Sequence, residues 1–305
     1  MIHEAADRIR PIARRTPVLT SHSFDTVSGV NAFFKCENLQ KGGAFKIRGA
    51  ANLVFSLGKP KQVIAYSSGN HAQATAIAAR HVGAACTIVM PADAPRSKLE
   101  ATRGYGATIV TYDRSRENRE QIASGIIEKT GATLIPPFDH PFIIAGQGTA
   151  TLELLEQAQK LDALIAPVGG GGLLSGSAVA AKSANPKIRI FGAEPERAND
   201  TCQSFRAGQR VEVTPDTIAD GLRSPSPGKL TFPIIRELAE DILLVTEDEI
   251  RSALKFLLTR MKILVEPSGA VSAAAVLHGK LPAGIGRIGV ILSGGNVDFE
   301  QLAEI

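Results

Sequence analysis

At 305 residues, with 44% hydrophobic and 21% charged side chains, the chain has the make-up of an ordinary soluble protein of one or two globular units. A net charge of only +4, scattered basic residues, 5% aromatics and no Trp argue against a nucleic-acid partner. No apolar run reaches the roughly 18 residues a membrane span requires, so no membrane partner is expected.

The opening MIHEAADRIRPIARR reads as an amphipathic helix with basic residues rather than a signal peptide, because it lacks a continuous apolar stretch. A cytoplasmic protein is therefore expected. Cys36, Cys86 and Cys202 lie far apart with neither a CxxC pair nor zinc-type spacing, and read as small core-filling residues.

In chain order, strands are predicted at Val63–Tyr66, Cys86–Met90, Thr108–Thr111, Ala163–Val168, Ile188–Ala193 and Gly289–Leu292. Helices are predicted at Gly69–Val82, Ser97–Tyr105, Arg116–Thr130, Gly146–Gln159 and Leu173–Ser183. This alternation predicts an α/β fold built from βαβ units, with mostly parallel sheets flanked by helices. Pro136, Pro137 and Pro141 punctuate the middle and read as hinges, while Pro225, Ser226 and Pro227 mark a later loop.

Chemistry is concentrated in four stretches. In GGAFKIRGA, Gly42 to Ala50, Lys46 stands between Phe45 and Ile47 among small and apolar residues. A desolvated lysine has a lowered pKa and is a competent Schiff-base nucleophile; alone, the stretch is equally a surface lysine at a helix start. SSGNHAQA, Ser67 to Ala74, follows a strand and opens an Ala-rich helix, a place where backbone N–H groups and the helix dipole take a carboxylate-sized anion. By itself His71 reads as a hydrogen-bonded structural residue. PVGGGGLLSG, Pro167 to Gly176, puts four glycines between a strand and a helix, so that the backbone can wrap round a phosphate. It lacks both the GK[ST] ending of a nucleotide P-loop and the GxGxxG pattern of a dinucleotide site. In VILSGGN, Val290 to Asn296, Ser293 falls at the carboxyl end of a strand, where open α/β sheets place ligands.

Together these stretches, with RRTPVLTS, ENLQKGGAFKIRGA, IAGQGT, TIADGL and VEPSGA, resemble the fold-type II (tryptophan synthase β-like) pyridoxal-phosphate enzymes, in the threonine/serine dehydratase and serine racemase branch. The resemblance runs nearly end to end. It implies pyridoxal 5'-phosphate carried on Lys46, with Phe45 against its ring, Asn70 on the ring hydroxyl, Gly169, Gly170, Gly171 and Gly172 on the phosphate, and Ser293 facing the pyridine nitrogen. A neutral hydroxyl there does not hold that nitrogen protonated, which favours elimination over transamination.

The resemblance further implies an amino-acid substrate whose carboxylate lies against Ser67, Ser68, Asn70 and His71. Lys46 would remove the α-proton, and a β-hydroxy amino acid (threonine, serine or 3-hydroxyaspartate) would leave as a 2-oxo acid and ammonia. Ser68 matches the opposite-face acid/base of racemizing relatives, which keeps serine or aspartate-type racemization open; its plainer reading is carboxylate binding. Glu194 and Asp200, with the backbone carbonyl of Ala198, match a divalent-cation site suited to Mg²⁺ or Ca²⁺. Two domains are implied, residues 1–52 and 140–305 forming the large cofactor-binding one and residues 53–139 a small mobile one, in a homodimer.

The family's usual TGSFK reads GGAFK here, which leaves substrate positioning in doubt. The chain ends soon after LSGGN, so the C-terminal regulatory domain of biosynthetic threonine deaminases is not expected. β-Replacement on the same fold and a non-catalytic amino-acid sensor are the rival readings. Arg223, after Asp220 and Gly221, is the candidate for recognising a diacid, its plainer reading being an exposed loop arginine.

Overall fold

In the computed structural model, residues 1–303 are described, apart from the side chains of Ser97, Phe299 and Gln301. Ten strands are present: β1 (Val18–Leu19), β2 (Asn31–Cys36), β3 (Gln62–Tyr66), β4 (Ala85–Pro91), β5 (Thr108–Tyr112), β6 (Thr133–Leu134), β7 (Ala163–Pro167), β8 (Arg189–Pro195), β9 (Asp241–Val245) and β10 (Arg287–Leu292). They form a six-stranded sheet in the order β1-β2-β10-β7-β8-β9 and a four-stranded sheet in the order β5-β4-β3-β6. All pairings are parallel except β1 with β2. The α/β fold with parallel, helix-flanked sheets is thus as the alternation of elements predicts.

Central strands are buried on both faces, as parallel sheets demand. All five residues of β7, ALIAP, are buried, and β10, RIGVIL, is buried beyond its first residue. At the edge of the smaller sheet β5 buries only Tyr112 fully. Helix Asn70–Val82 packs an alanine-rich face, including Ala72, Ala76 and Ala79, against the smaller sheet and ends at Gly83 in the left-handed conformation.

Pro141 proves to be the first residue of helix Pro141–Gln157 rather than a hinge, capped by His140, whose Nδ1 accepts from Phe142 N at 3.2 Å. Proline fits there because a first-turn N–H has no helical partner to lose. This helix touches two others through glycine. A Cβ on Gly146 would lie 2.3 Å from Arg48 O in helix Lys46–Ser56, and one on Gly148 would lie 2.6 Å from Gly176 O in helix Gly172–Ala184. Backbones approach here as closely as glycine allows.

Carboxyl ends of β3, β7 and β10 all give way to the glycine- and serine-rich loops singled out in the sequence. Those loops share one cleft of about 610 Å³.

Candidate active site

Lys46 enters the cleft from the first position of its helix. The preceding turn is laced to the end of β10: Phe45 N donates to Ser293 O at 3.0 Å, and Gly295 N to Gly43 O at 2.9 Å. Gly42 and Gly43 have φ of +76° and +73°, a region that L side chains resist, and a Cβ on Gly43 would fall 2.2 Å from Asn296 Oδ1. The turn is held to the end of β10 by these backbone bonds.

Lys46 Nζ donates to Pro137 O at 2.9 Å and lies 5.0 Å from the centre of the Phe45 ring. Burial lowers its pKa to about 8, against the pull of Glu266 in the other direction. The amine is therefore readily deprotonated, as a nucleophile or base requires.

On one side of Lys46 lies the turn after β3. The N–H groups of Ser68, Asn70 and His71 have no partner among the described residues, whereas Gly69 N is held by Ser67 Oγ at 3.2 Å. Open N–H groups at a helix start make an anion seat. His71 is 3% exposed; its Nε2 lies 2.8 Å from Ile135 O, and burial pushes its pKa down to about 3. A neutral ring donating to that carbonyl holds the turn and adds no charge to the seat.

Asn70 turns its side chain elsewhere. Its Nδ2 donates to Glu266 Oε1 at 2.7 Å and its Oδ1 accepts from Asn296 Nδ2 at 2.8 Å. Glu266 is buried, and burial together with Asp220 raises its pKa to about 8. Sequence reasoning quoted Glu266 within VEPSGA but gave it no role. The legible signal was an acid at the end of the apolar run Ile263–Val265.

On the other side are Gly169 to Gly172, leading into helix Gly172–Ala184. Their N–H groups donate to nothing among the described residues. Gly171 has φ of +90°, and Cβ atoms on Gly170 and Gly172 would fall 2.2 Å from the Phe138 ring and 2.4 Å from Gln147 Oε1. Four open donors at a helix N-terminus fit a phosphate, and bulkier residues would not fit the cradle. Ser293, 3% exposed, closes the floor at the end of β10. All the predicted cofactor and substrate residues therefore line this one cleft.

The cation candidates stand apart from it. Glu194 ends up fully buried near the end of β8, accepting from Thr201 N at 3.1 Å and Cys202 N at 2.8 Å. Asp200 is also buried, and neither of its carboxylate oxygens has a partner. Burial raises both pKa values, that of Asp200 to about 7, and Asp200 adds to the rise at Glu194. Two adjacent buried acids, the oxygens of Asp200 without a hydrogen-bond partner, fit a hard cation. No group of three or more His, Cys, Asp or Glu side chains that could hold a metal occurs among the described residues, so carbonyls such as that of buried Ala198, or water, would complete the shell.

Arg223 lines the cleft but turns inward on its own loop, donating from Nε and Nη2 to Thr217 O at 2.8 and 2.6 Å. No helix among the described residues is long and apolar enough to cross a membrane.

Comparison with known proteins agrees with this geometry. Residues 9–294 match the family model described as pyridoxal-phosphate dependent enzyme. A serine racemase of Schizosaccharomyces pombe is 49% identical over 99% of this chain and 95% of its own length. An L-threo-3-hydroxyaspartate ammonia-lyase of Saccharomyces cerevisiae is 50% identical over 99% and 94%. The solved structure of maize serine racemase superposes with a TM-score of 0.96 at 46% identity, covering 99% of this chain and 94% of that one. With a lysine, a phosphate cradle and a carboxylate seat in one cleft, and such likeness along nearly its whole length, the chain belongs to the pyridoxal-phosphate dependent enzymes.

Proposed function

We propose that the chain is an ammonia-lyase that converts a 3-hydroxy amino acid to a 2-oxo acid and ammonia. The observation that carries this reading is a desolvated lysine amine set between two helix N-termini whose N–H groups are open. One suits the cofactor phosphate and the other a substrate carboxylate. Bound pyridoxal phosphate supplies the electron sink that makes a Cα proton labile.

In this reading Gly169 to Gly172 hold the phosphate, Phe45 flanks the ring, and Ser293 presents a neutral hydroxyl to its nitrogen. The N–H groups of Ser68, Asn70 and His71 and the hydroxyls of Ser67 and Ser68 grip the carboxylate, fixing the Cα–H bond towards Lys46. Lys46 takes the proton at Nζ, the Cα–H electron pair becomes the Cα=Cβ bond as the Cβ–O bond breaks, the hydroxyl leaves as water after gaining a proton, and water hydrolyses the released enamine to the 2-oxo acid and ammonia. The Asn70–Glu266–Asn296 contacts keep the helix start in place.

The smaller sheet, within residues 53–139, is read as the unit that closes on substrate and excludes water. Its contact across the cleft mouth is the Lys98–Asp220 pair at 2.5 Å. The second reading, racemization, rests on Ser68, which lines the cleft with Lys46 and carries a hydroxyl able to return a proton from the opposite face. Mg²⁺ or Ca²⁺ at Glu194 and Asp200 would stiffen the segment beside the phosphate cradle, since Thr201 Oγ1 reaches Gly169 O at 3.5 Å. A homodimer is supported by exposed Leu39 and Leu264, brought to one edge by the 2.9 Å bond from Asn38 Nδ2 to Leu264 O. Three free, buried cysteines agree with a reducing, cytoplasmic setting.

The test is release of 2-oxo acid and ammonia from serine, threonine and 3-hydroxyaspartate stereoisomers, with chiral analysis of unreacted substrate. Lys46→Ala should lose turnover and the cofactor's bound absorption band. In cofactor-free protein, amine labelling of Lys46 should rise with pH about a midpoint near 8, because the neutral amine reacts and burial lowers its pKa. A midpoint at the ordinary lysine value, or turnover by Lys46→Ala, would sink the mechanism.

A further inference from the structure

The seat proposed for the cofactor phosphate carries no charge of its own. Gly169 to Gly172 offer N–H groups alone, whereas a phosphate monoester bears roughly two negative charges at neutral pH. On one side of this seat the cleft nonetheless has a charged rim. Arg210 and Lys229 both line the cleft, both are exposed, and neither has a carboxylate partner among the described residues.

Short contacts place both beside the glycine turn. Gly228 N donates to Gly170 O at 3.2 Å and Thr231 Oγ1 donates to the same carbonyl at 2.7 Å, so Lys229 stands in a segment fastened to the turn on either side of it. Arg210 reaches that segment from another loop. Its Nε donates to Pro227 O at 2.7 Å and its Nη2 to Ser226 Oγ at 2.8 Å, which holds the guanidinium against the two residues that precede Gly228. Asp139, the cleft acid that contacts the same segment, is already occupied, accepting from Lys229 N at 2.9 Å, Leu230 N at 2.8 Å and Thr231 N at 3.3 Å. Two cations therefore stand here against one acid that three N–H groups already answer.

Exposed charges at the rim of a cleft change the rate of encounter with a charged ligand more than they change its grip. We infer that Arg210 and Lys229 form a capture rim for the cofactor, drawing its phosphate from solution to the uncharged glycine turn without holding it there. This inference rests on the reading of Gly169–Gly172 as the phosphate seat. Both residues lie outside the motifs that made the seat legible.

The deciding experiment mixes cofactor-free protein with pyridoxal phosphate or with pyridoxal, which lacks the phosphate, and reads the second-order rate of capture from the bound absorption band. Release is followed separately after dilution. At low ionic strength, about 10 mM, Arg210→Gln and Lys229→Gln should each slow capture of the phosphorylated form about threefold and leave pyridoxal unaffected. Release should not change, and the slowing should vanish near 1 M salt, where the screening length falls to about 3 Å. Arg210→Lys keeps the charge and gives up the forked contact with the loop, so it should retain the wild-type rate. Lys187→Gln removes one exposed charge at the amino end of β8, away from the cleft, and should barely alter capture.

Capture at the wild-type rate in both rim variants would overturn the inference. Equal slowing in Lys187→Gln would do the same, as would slowing that persists at high salt or is matched by faster release. Wild-type protein that captures both forms equally fast would remove the phosphate seat itself. A phosphate preference that survives both rim substitutions would sink the rim alone.

Discussion

Two groups of buried charge in this protein are built on opposite plans. Around Arg48, every charge is answered. Its guanidinium donates to both oxygens of Glu37 at 2.7 and 2.8 Å, to both oxygens of Glu153 at 2.8 Å each, to Thr149 Oγ1 at 3.1 Å and to Arg14 O at 3.2 Å. Lys35, equally buried, adds bonds to Glu153, Thr16 O and Gln157. Around Glu194 and Asp200 two acids are neighbours, and neither carboxylate oxygen of Asp200 has a hydrogen-bond partner among the described residues. The first group satisfies itself and anchors the helix that starts at Lys46. The second answers Glu194 with backbone N–H groups and leaves the Asp200 oxygens unanswered among the described residues, so buried charge is balanced within the fold in one place and not in the other.

The largest effect should come from breaking the self-sufficient group. Arg48→Met leaves Glu37 and Glu153 buried without their main partner and should cost about 3–5 kcal/mol, read from denaturant unfolding. A loss under about 1 kcal/mol would mean that the network is not the anchor it resembles.

Next in size is the expected effect of a divalent cation on the second group. After chelation, adding Mg²⁺ or Ca²⁺ to a hundredfold excess over its Kd should stabilise the protein by about 2.7 kcal/mol, seen as a rise in Tm. Asp200→Asn should abolish that response while raising the Tm of the chelated protein, since it removes a like charge. An equal response in both proteins would dismiss the site.

The smallest effect calibrates the comparison. Arg15 and Glu156 also pair, at 2.6 Å, but with both side chains more than half exposed. Glu156→Gln should change stability by less than about 1 kcal/mol, because water already solvates both charges. A loss as large as that of Arg48→Met would show that burial is not what separates the groups.

Local patterns made much of this architecture legible. β3, β4, β5, β7, β8 and β10 fall within two residues of their predicted bounds because each is a compact apolar run feeding a glycine or polar turn. β2 escaped notice because NAFFKC spends an interior position on Lys35, whose burial is made tolerable only by Glu153 and Gln157, more than a hundred residues away. The chemistry was legible where one short motif makes one seat, as at Gly169–Gly172. It was not legible at Glu266, whose partner Asn70 is 196 residues distant. Position 42 misled in a more instructive way. Gly42 stands at a positive φ, a conformation visible only once the backbone is known.

Helix Pro141–Gln157, with its paired glycine contacts, acts as a gauge block. One face bears directly on the backbone that carries Lys46 and the other on the helix that begins at the phosphate cradle. In both contacts the nearest atoms are backbone, which cannot swivel aside to absorb an error. The span between Lys46 and the Gly169–Gly172 turn is thus set by main-chain thickness, and a single methyl group at Gly146 or Gly148 would force the two apart.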